Sequence, residues 1–228
     1  TSALNTLEGK RTEPRLRPPF PPQEGLWQYP TLVNNVETFY DVCLIADGEY
    51  NKERFYTVRG DCMWGGVYSF PENFTVEKIL RGSDNYPDFD FFAQVGGEAS
   101  GEVLHFGQLQ VVPRGGAITV YSFLKHQPLD LIKKWVDFFA AQSCGKCVPC
   151  REGTYRLQEI IRSKEPDWHT FSEILDTLEA SSFCGLGCAV SIPIRSFVRN
   201  VLSAWPERQR RSIGITPGQQ KMICECFK

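Results

Sequence analysis

Three cysteines stand at strict two-residue spacing in the stretch SCGKCVPCREG, residues 143 to 153: Cys144, Cys147 and Cys150. An iron–sulfur cube needs thiolates that converge on one small object from several sides. A C-x-x-C-x-x-C loop wraps three of its corners, because each two-residue gap lets the backbone curl by one ligand position. In the bacterial ferredoxin run a fourth cysteine follows after three residues and serves another cluster. Here that position is Thr154, so no second local cluster is implied and the fourth corner must come from elsewhere in the chain. Structural zinc instead takes two separated knuckles or a Cys/His mixture, and three cysteines in one loop would crowd a tetrahedral ion on one side. Zinc and unligated thiols are the competing readings.

The neighbouring residues suit an anionic cluster. The run REGTYRLQEIIRSK is expected to begin a helix directly after Cys150, aiming backbone N–H groups and the positive end of the helix dipole at the sulfurs. Lys146 and Arg151 add formal positive charge, and Gly145 permits close backbone approach. The fourth ligand is sought in SSFCGLGCAVS, where Cys184 and Cys188 are four apart and would share one face of a helix. Spacing does not choose between them. Cys43 and Cys62 read as buried small hydrophobes, and Cys224 with Cys226 as an exposed terminal pair. His126 and His169, nearest to the loop in sequence, are expected at the surface.

Nine cysteines in 228 residues is a high count, and the clustering decides its meaning. With no secretion pattern in the first residues, the cluster reads as metal binding in a reducing compartment, not as a disulfide framework. A net charge of −2 gives no electrostatic footprint for a nucleic-acid partner or an anionic membrane surface. No apolar run approaches the roughly 20 residues of a membrane span, so direct membrane insertion is not expected. The length fits one to two domains. The chain starts at Thr1 and runs at once into TSALNTLEGK, which leads to the expectation that it is the C-terminal part of something longer.

Three textures follow one another. Residues 1 to about 35 are rich in proline and basic residues. Pro18, Pro19, Pro21 and Pro22 forbid helix and favour extended backbone. This segment carries Leu16, Phe20, Leu26, Trp27 and Tyr29, more apolar mass than a solvated linker needs, so it is expected to pack across a surface or line a site. VETFYDVCLIA, residues 36 to 46, reads as a short helix. Residues 55 to 122 are strand-rich, with RFYTVRG, GGVYSF, FFAQVGG and AITVYSF alternating and FTVEKILRG as one short helix ended by Gly82. A small sheet with one helix across it is a β-grasp-like α+β unit. From Pro128 the period becomes helical. Leu129, Ile132, Val136 and Phe139 make one apolar stripe; Phe171, Ile174, Leu175 and Leu178 make another behind a Thr170–Glu173 capping box; Ile194, Phe197, Val198, Val201 and Trp205 make a third. These are core stripes of a small helical bundle.

The pair SCGKCVPCREGT and SSFCGLG resembles the C-terminal iron–sulfur domain of the NADH-binding flavoprotein subunit of respiratory complex I, a family that includes the diaphorase subunits of NAD-linked hydrogenases and formate dehydrogenases. TLEGKR, PRLRPPFP, GLW and VNNVET resemble the end of the family's flavin domain, and the middle is similar, more loosely, to its soluble-ligand-binding β-grasp domain. The fold this implies is α+β in three parts: residues 1–50 as the end of an α/β flavin- and NADH-binding domain, 51–125 as a β-grasp-like domain, and 126–228 as a helical domain holding a [4Fe-4S] cluster. The resemblance implies that Cys144, Cys147, Cys150 and Cys184 ligate that cluster, with Cys188 a departure from the family's usual residue. It implies that Asn34 and Asn35 contact FMN, their amides meeting the flavin's polar edge without adding charge. It also implies that Arg17 and Phe20 line the NADH site, Arg17 standing where the family has a lysine and Phe20 offering a ring to stack on.

The family's glycine-rich flavin loop is expected upstream, because QVGGEASGEV lacks the G-x-G-x-x-G spacing and reads as a β-turn; the chain taken alone would then hold only part of the flavin site. The activity implied is electron input from NADH through FMN to the cluster, with no acid–base side chain required from this chain. The implied partners are a thioredoxin-like [2Fe-2S] subunit and a larger iron–sulfur subunit, on the cytoplasmic or mitochondrial matrix side of a peripheral assembly. The alternative is a flavin-free iron–sulfur relay and docking subunit.

Overall fold

Alternation along the central strands sets the architecture. In the computed structural model, which describes residues 2–97, 100–205 and 215–227, strand β3 (Phe91–Val95) is buried along its whole length. Phe91, Ala93 and Val95 pack into one core, whereas Phe92 packs into another. A strand buried on both faces needs a layer on each side. Here one layer is helix α3 (Val76–Gly82), whose Val76, Ile79 and Leu80 are buried against the sheet. The other is a set of C-terminal helices.

The sheet has five strands in the order β2-β1-β5-β3-β4, from β1 (Glu53–Gly60), β2 (Gly66–Pro71), β3, β4 (Glu102–His105) and β5 (Ala117–Ser122). β1 and β5 run parallel, Thr57 opposite Ala117 and Gly60 opposite Val120, and the other pairs are antiparallel. The expected strands are therefore present. Gly60 is required at its place: its φ is +97° and an added Cβ would sit 2.1 Å from the Val120 carbonyl oxygen. The turn expected in QVGGEASGEV falls partly on Glu98 and Ala99, which lie outside the described residues.

The helical layer comprises α4 (Pro128–Gln142), α5 (Val148–Arg162), α6 (Trp168–Ser181), the four-residue α7 (Gly185–Cys188), α8 (Ser191–Asn200) and α9 (Pro217–Cys226). Ile132, Val136 and Phe139 of the first expected stripe are fully buried; Phe171, Leu175 and Leu178 of the second and Ile194, Phe197, Val198, Val201 and Trp205 of the third join the same core. The expected capping box of α6 is not used. The helix starts earlier, at Trp168, and Asp167 caps it by accepting from the Thr170 amide at 3.1 Å and from its hydroxyl at 2.7 Å. An aspartate is as good a cap as a threonine, and its place before the buried Trp168 gives the helix one more turn of core contact.

The chain divides into two compact units. One holds residues 1–52 with 144–146, and the other holds 53–143 with 147–228, so sheet and helices belong together. The first unit contains α1 (Ser2–Leu7) and α2 (Val36–Asp47), the latter capped by Asn35 and ended by Gly48 at φ 75°. Within it, the Glu8 carboxylate accepts from the Trp27 amide at 2.8 Å and pairs with Arg15 and Lys10, each at 2.6 Å. Arg15 and Lys10 hold its carboxyl at about 2. The proline-rich segment, expected to pack across a surface or line a site, leaves most of its large side chains exposed in this chain. Leu16, Phe20, Trp27 and Tyr29 are exposed, and only Leu26 is half-buried. Among the described residues, no helix is long and apolar enough to cross a membrane.

Candidate metal centre

α5 begins three residues earlier than its sequence suggests. Pro149 sits in its first turn, where a fixed φ and a missing N–H cost nothing. Cys147 is its N-cap, with extended backbone (φ −97°, ψ 139°) and no side-chain capping bond, so the helix does not use its sulfur. Cys150 falls inside the first turn rather than before it, and is buried. The Ser143 hydroxyl lies 3.3 Å from Cys150 Sγ, and Thr154 Oγ1 donates to the Cys150 carbonyl at 2.7 Å. Thr154, the position of the missing ferredoxin cysteine, thus fastens the turn.

Cys184 is presented in the same way. It is the N-cap of α7, extended at φ −141° and ψ 168°, again without a side-chain capping bond. The expectation that Cys184 and Cys188 share a helical face is not met, because Cys184 stands outside the helix that Cys188 ends. Cys188 Sγ donates to the Ser182 carbonyl at 3.6 Å, which gives this thiol a local acceptor. Gly187 lets the turn close: a Cβ there would lie 2.3 Å from Ser182 Oγ and 3.3 Å from Cys150 Cβ. The glycine thus brings the 182–188 turn against the first turn of α5.

Cys144 belongs to the first unit. Gly145 beside it has φ 72°, a backbone state that glycine takes at no cost. Arg11 Nη2 donates to the Cys144 carbonyl at 3.2 Å, and Lys146 Nζ donates to Glu13 Oε1 at 2.9 Å and to the Pro14 carbonyl at 3.3 Å. Lys146 holds the Glu13 carboxyl below the ordinary range. Arg151 in turn pairs with Glu152 at 2.8 Å. Both cations expected to offset the cluster's charge are therefore matched by carboxylates. The electropositive contribution that stands is the N-terminus of α5 itself, whose first amides have no intrahelical acceptor.

The other thiols need correcting. Cys43, expected buried, is exposed on α2, and Cys62 is half-buried, its thiol pushed up by burial and by the neighbouring Asp61. Cys224 and Cys226, expected to be exposed, are half-buried on α9 and pack against the helical core. All nine cysteines are free of disulfides. His169 is exposed as expected, while His126 is half-buried, 2.8 Å from Asp61. Among the described residues no three His, Cys, Asp or Glu side chains lie within joint metal-ligating range.

The donor set and one orphaned atom fit a sulfur-rich group. Soft thiolates select iron–sulfur clusters. Ser182 Oγ, buried against the Cys184 turn, has no hydrogen-bond partner, and a buried hydroxyl left so is costly unless something accepts from it. Ser143, Ser182 and Gly187 carry no sequence signature beyond lying within a few residues of a cysteine.

The residues expected at flavin and nucleotide all lie in the first unit. Asn34 and Asn35 are exposed, and Asn35 Oδ1 accepts from the Glu37 amide at 3.3 Å, which uses its oxygen as the cap of α2. Arg17 and Phe20 are exposed. Phe20 opens a turn in which its carbonyl accepts from the Gln23 and Glu24 amides at 2.8 and 2.9 Å.

Known proteins resemble the chain over nearly its whole length. Residues 130–205 match the family described as the NADH-ubiquinone oxidoreductase-F iron–sulfur binding region, a span that includes all three loop cysteines and Cys184. The F subunit of the NADH-quinone oxidoreductase of Aquifex aeolicus is 28% identical over 247 residues, covering 94% of this chain and 56% of the relative. The corresponding F subunit of Streptomyces coelicolor is 32% identical over 228 residues, covering 87% and 51%. In the crystal structure of an NAD+-reducing [NiFe]-hydrogenase in the H2-reduced state, one chain superposes with a TM-score of 0.79 at 26% identity, over 87% of this chain and 39% of that one. The chain spans about half the length of these two oxidoreductase relatives. Residues 130–205 thus match the NADH-ubiquinone oxidoreductase-F iron–sulfur binding region, within a chain similar over most of its length to the F subunits of NADH-quinone oxidoreductases.

Proposed function

We propose that this chain is part of the electron-input module of an NADH dehydrogenase or diaphorase, carrying electrons from NADH and FMN to a [4Fe-4S] cluster held by Cys144, Cys147, Cys150 and Cys184. The observation that carries this reading is the family match over residues 130–205, which encloses all four cysteines. Cys147 and Cys184, both N-caps whose sulfurs are not spent on capping, support the ligand set. The bond from Cys188 to Ser182 favours Cys184 over Cys188.

A cluster so held supplies a one-electron relay. The chain's own residues do the positioning. The α5 N-terminus aims backbone amides at the sulfurs, Pro149 and Thr154 fix the first turn, and Gly187 closes the Cys184 turn on Cys150. Arg11, Glu13 and Lys146 hold the Cys144 turn to the proline-rich segment. Asn34 and Asn35 are read as flavin contacts, and Arg17 and Phe20 as nucleotide contacts, on exposed positions. Residues 1–50 are read as the end of a flavin- and NADH-binding domain and 126–228 as the cluster-bearing helical domain. The sheet order β2-β1-β5-β3-β4 with one helix across it supports a β-grasp-like 51–125. The partners proposed are a thioredoxin-like [2Fe-2S] subunit and a larger iron–sulfur subunit, in an assembly peripheral to a membrane complex on the cytoplasmic or matrix side.

The test is iron and sulfide analysis with EPR on the anaerobically purified protein. Four irons, with loss on Cys184→Ala and retention on Cys188→Ala, are expected. A colourless protein with one zinc overturns the reading. Acid release of FMN from the intact assembly decides between electron input from a flavin and a flavin-free relay.

A further inference from the structure

We propose that Ser182 donates a hydrogen bond from Oγ to a sulfur of the bound cluster, and so sets its reduction potential. The inference rests on the reading of Cys150 and Cys184 as ligands. Ser182 caps the C-terminus of α6, two residues before Cys184. Its other polar groups are engaged locally: its amide donates to the Leu178 carbonyl at 3.1 Å, and its carbonyl accepts from Cys188 Sγ at 3.6 Å. Only the hydroxyl is left, buried and without an acceptor.

Its position is fixed by Gly187. The point where a Gly187 Cβ would stand is 2.3 Å from Ser182 Oγ and 3.3 Å from Cys150 Cβ. The hydroxyl therefore lies beside the α5 turn that carries Cys150, and in the same turn of chain as Cys184. Cys150 meets a second hydroxyl, that of Ser143, at 3.3 Å from its sulfur. Both the thiolate and sulfide sulfurs of a cluster accept hydrogen bonds, so the orphaned donor gains a partner when the cluster is present.

Reduction adds one electron to the cluster and moves no proton; the Ser182 O–H bond stays intact. The reduced cluster is the more anionic state, and a donor stabilises it more, so the bond raises the potential. Removing it shifts the equilibrium toward the oxidised cluster.

The experiment is an EPR-monitored potentiometric titration of the cluster-bearing protein. Ser182→Ala is expected to lower the midpoint by an amount approaching a tenfold change in the equilibrium, about 59 mV for one electron. Ser182→Thr, which keeps the hydroxyl, is expected to stay near the wild type. An intact cluster with an unchanged midpoint in Ser182→Ala overturns the proposal. Should that variant lose its cluster, ENDOR of the reduced wild type before and after exchange into D2O decides. A strongly coupled exchangeable proton supports the bond, and its absence overturns it. A wild type without iron is a different result: it removes the ligand assignment itself.

Discussion

Gln94 Oε1 accepts from Trp135 Nε1 at 3.1 Å, which ties the interior strand β3 to helix α4 through a fully buried amide. The same oxygen accepts from the Tyr121 hydroxyl at 3.4 Å, while Gln94 Nε2 donates to the Gly101 carbonyl at 3.4 Å. Sheet and helical layer are thus joined by a small polar network inside an apolar core. Gln94→Leu keeps the volume but removes the acceptor of the buried indole N–H. It is expected to cost about 1–3 kcal/mol, read as a lowered midpoint in chemical denaturation followed by tryptophan fluorescence. An unchanged midpoint shows that the network is not what orders this seam.

Glu8 makes the first unit sensitive to acid. Its carboxyl lies at about 2 rather than the ordinary 4.5, because Arg15 first, then Lys10 and the Trp27 amide, hold the charged form. A depressed carboxyl contributes its full stabilisation above its unfolded value and loses it as pH falls toward the folded one. The local order around Trp27 is therefore expected to weaken between about 4.5 and about 2. The protection factor of the Trp27 amide in hydrogen exchange should fall across that window, and Glu8→Gln should flatten the dependence. A protection factor equally pH-dependent in both proteins excludes Glu8 as the cause.

The sequence made the sheet legible because its strands alternate and its turns carry glycine. It made the helical layer legible because three apolar stripes repeat at helical spacing. What it hid depended on tertiary competition. The helix is expected only after Cys150, yet Pro149, tolerated in a first turn, lets α5 start at Val148 and draws Cys150 inside. Thr170 and Glu173 spell a capping box, yet Asp167 takes the helix one turn further because Trp168 has a core to fill. Cys224 and Cys226 look exposed at the end of a chain, but Ile223 and Gln220 on the same helix are buried, and the thiols follow them inward. Cys43 goes the other way, since α2 exposes Val36, Phe39, Val42 and Ile45 and has no buried residue in this chain. The cysteine spacing identified the candidate centre. The serines beside it had no signature, because a hydroxyl becomes informative only when its surroundings show that it has no acceptor.

Gly187 leaves no room for added mass in the Cys184 turn. A methyl group there would lie 2.3 and 2.5 Å from the Ser182 side chain and 3.3 Å from Cys150 Cβ. Gly187→Ala must displace the Ser182 side chain or the α7 turn and tightens the contact with Cys150, at about 1–3 kcal/mol for overpacking. Bound iron per chain is expected to drop in this variant while the Gly185→Ala control, with nothing within 4 Å of the added carbon, keeps it. Equal iron in both variants shows that the close approach at Gly187 does not govern cluster retention.

The last strand of the sheet is closed by a helix rather than by another strand. β4 is at the edge, and Val103 turns its amide and carbonyl outward to α8. The amide donates to Ser196 Oγ and the carbonyl accepts from Asn200 Nδ2, both at 2.8 Å. Ser196 Oγ in turn donates to the Ile192 carbonyl at 2.6 Å, so one hydroxyl serves both sides. An uncovered edge is a template for pairing with another chain, and the two side chains remove that opportunity at one residue. Ser196→Ala strands the Val103 amide and is expected to cost about 1–3 kcal/mol. Ser196→Thr, which keeps the hydroxyl, is expected to retain most of it. The double variant Ser196→Ala with Asn200→Ala should in addition raise the rate of aggregation on mild heating, followed by light scattering. A double variant that unfolds earlier but stays monodisperse separates the energetic role of these bonds from protection of the edge, and assigns them the first alone.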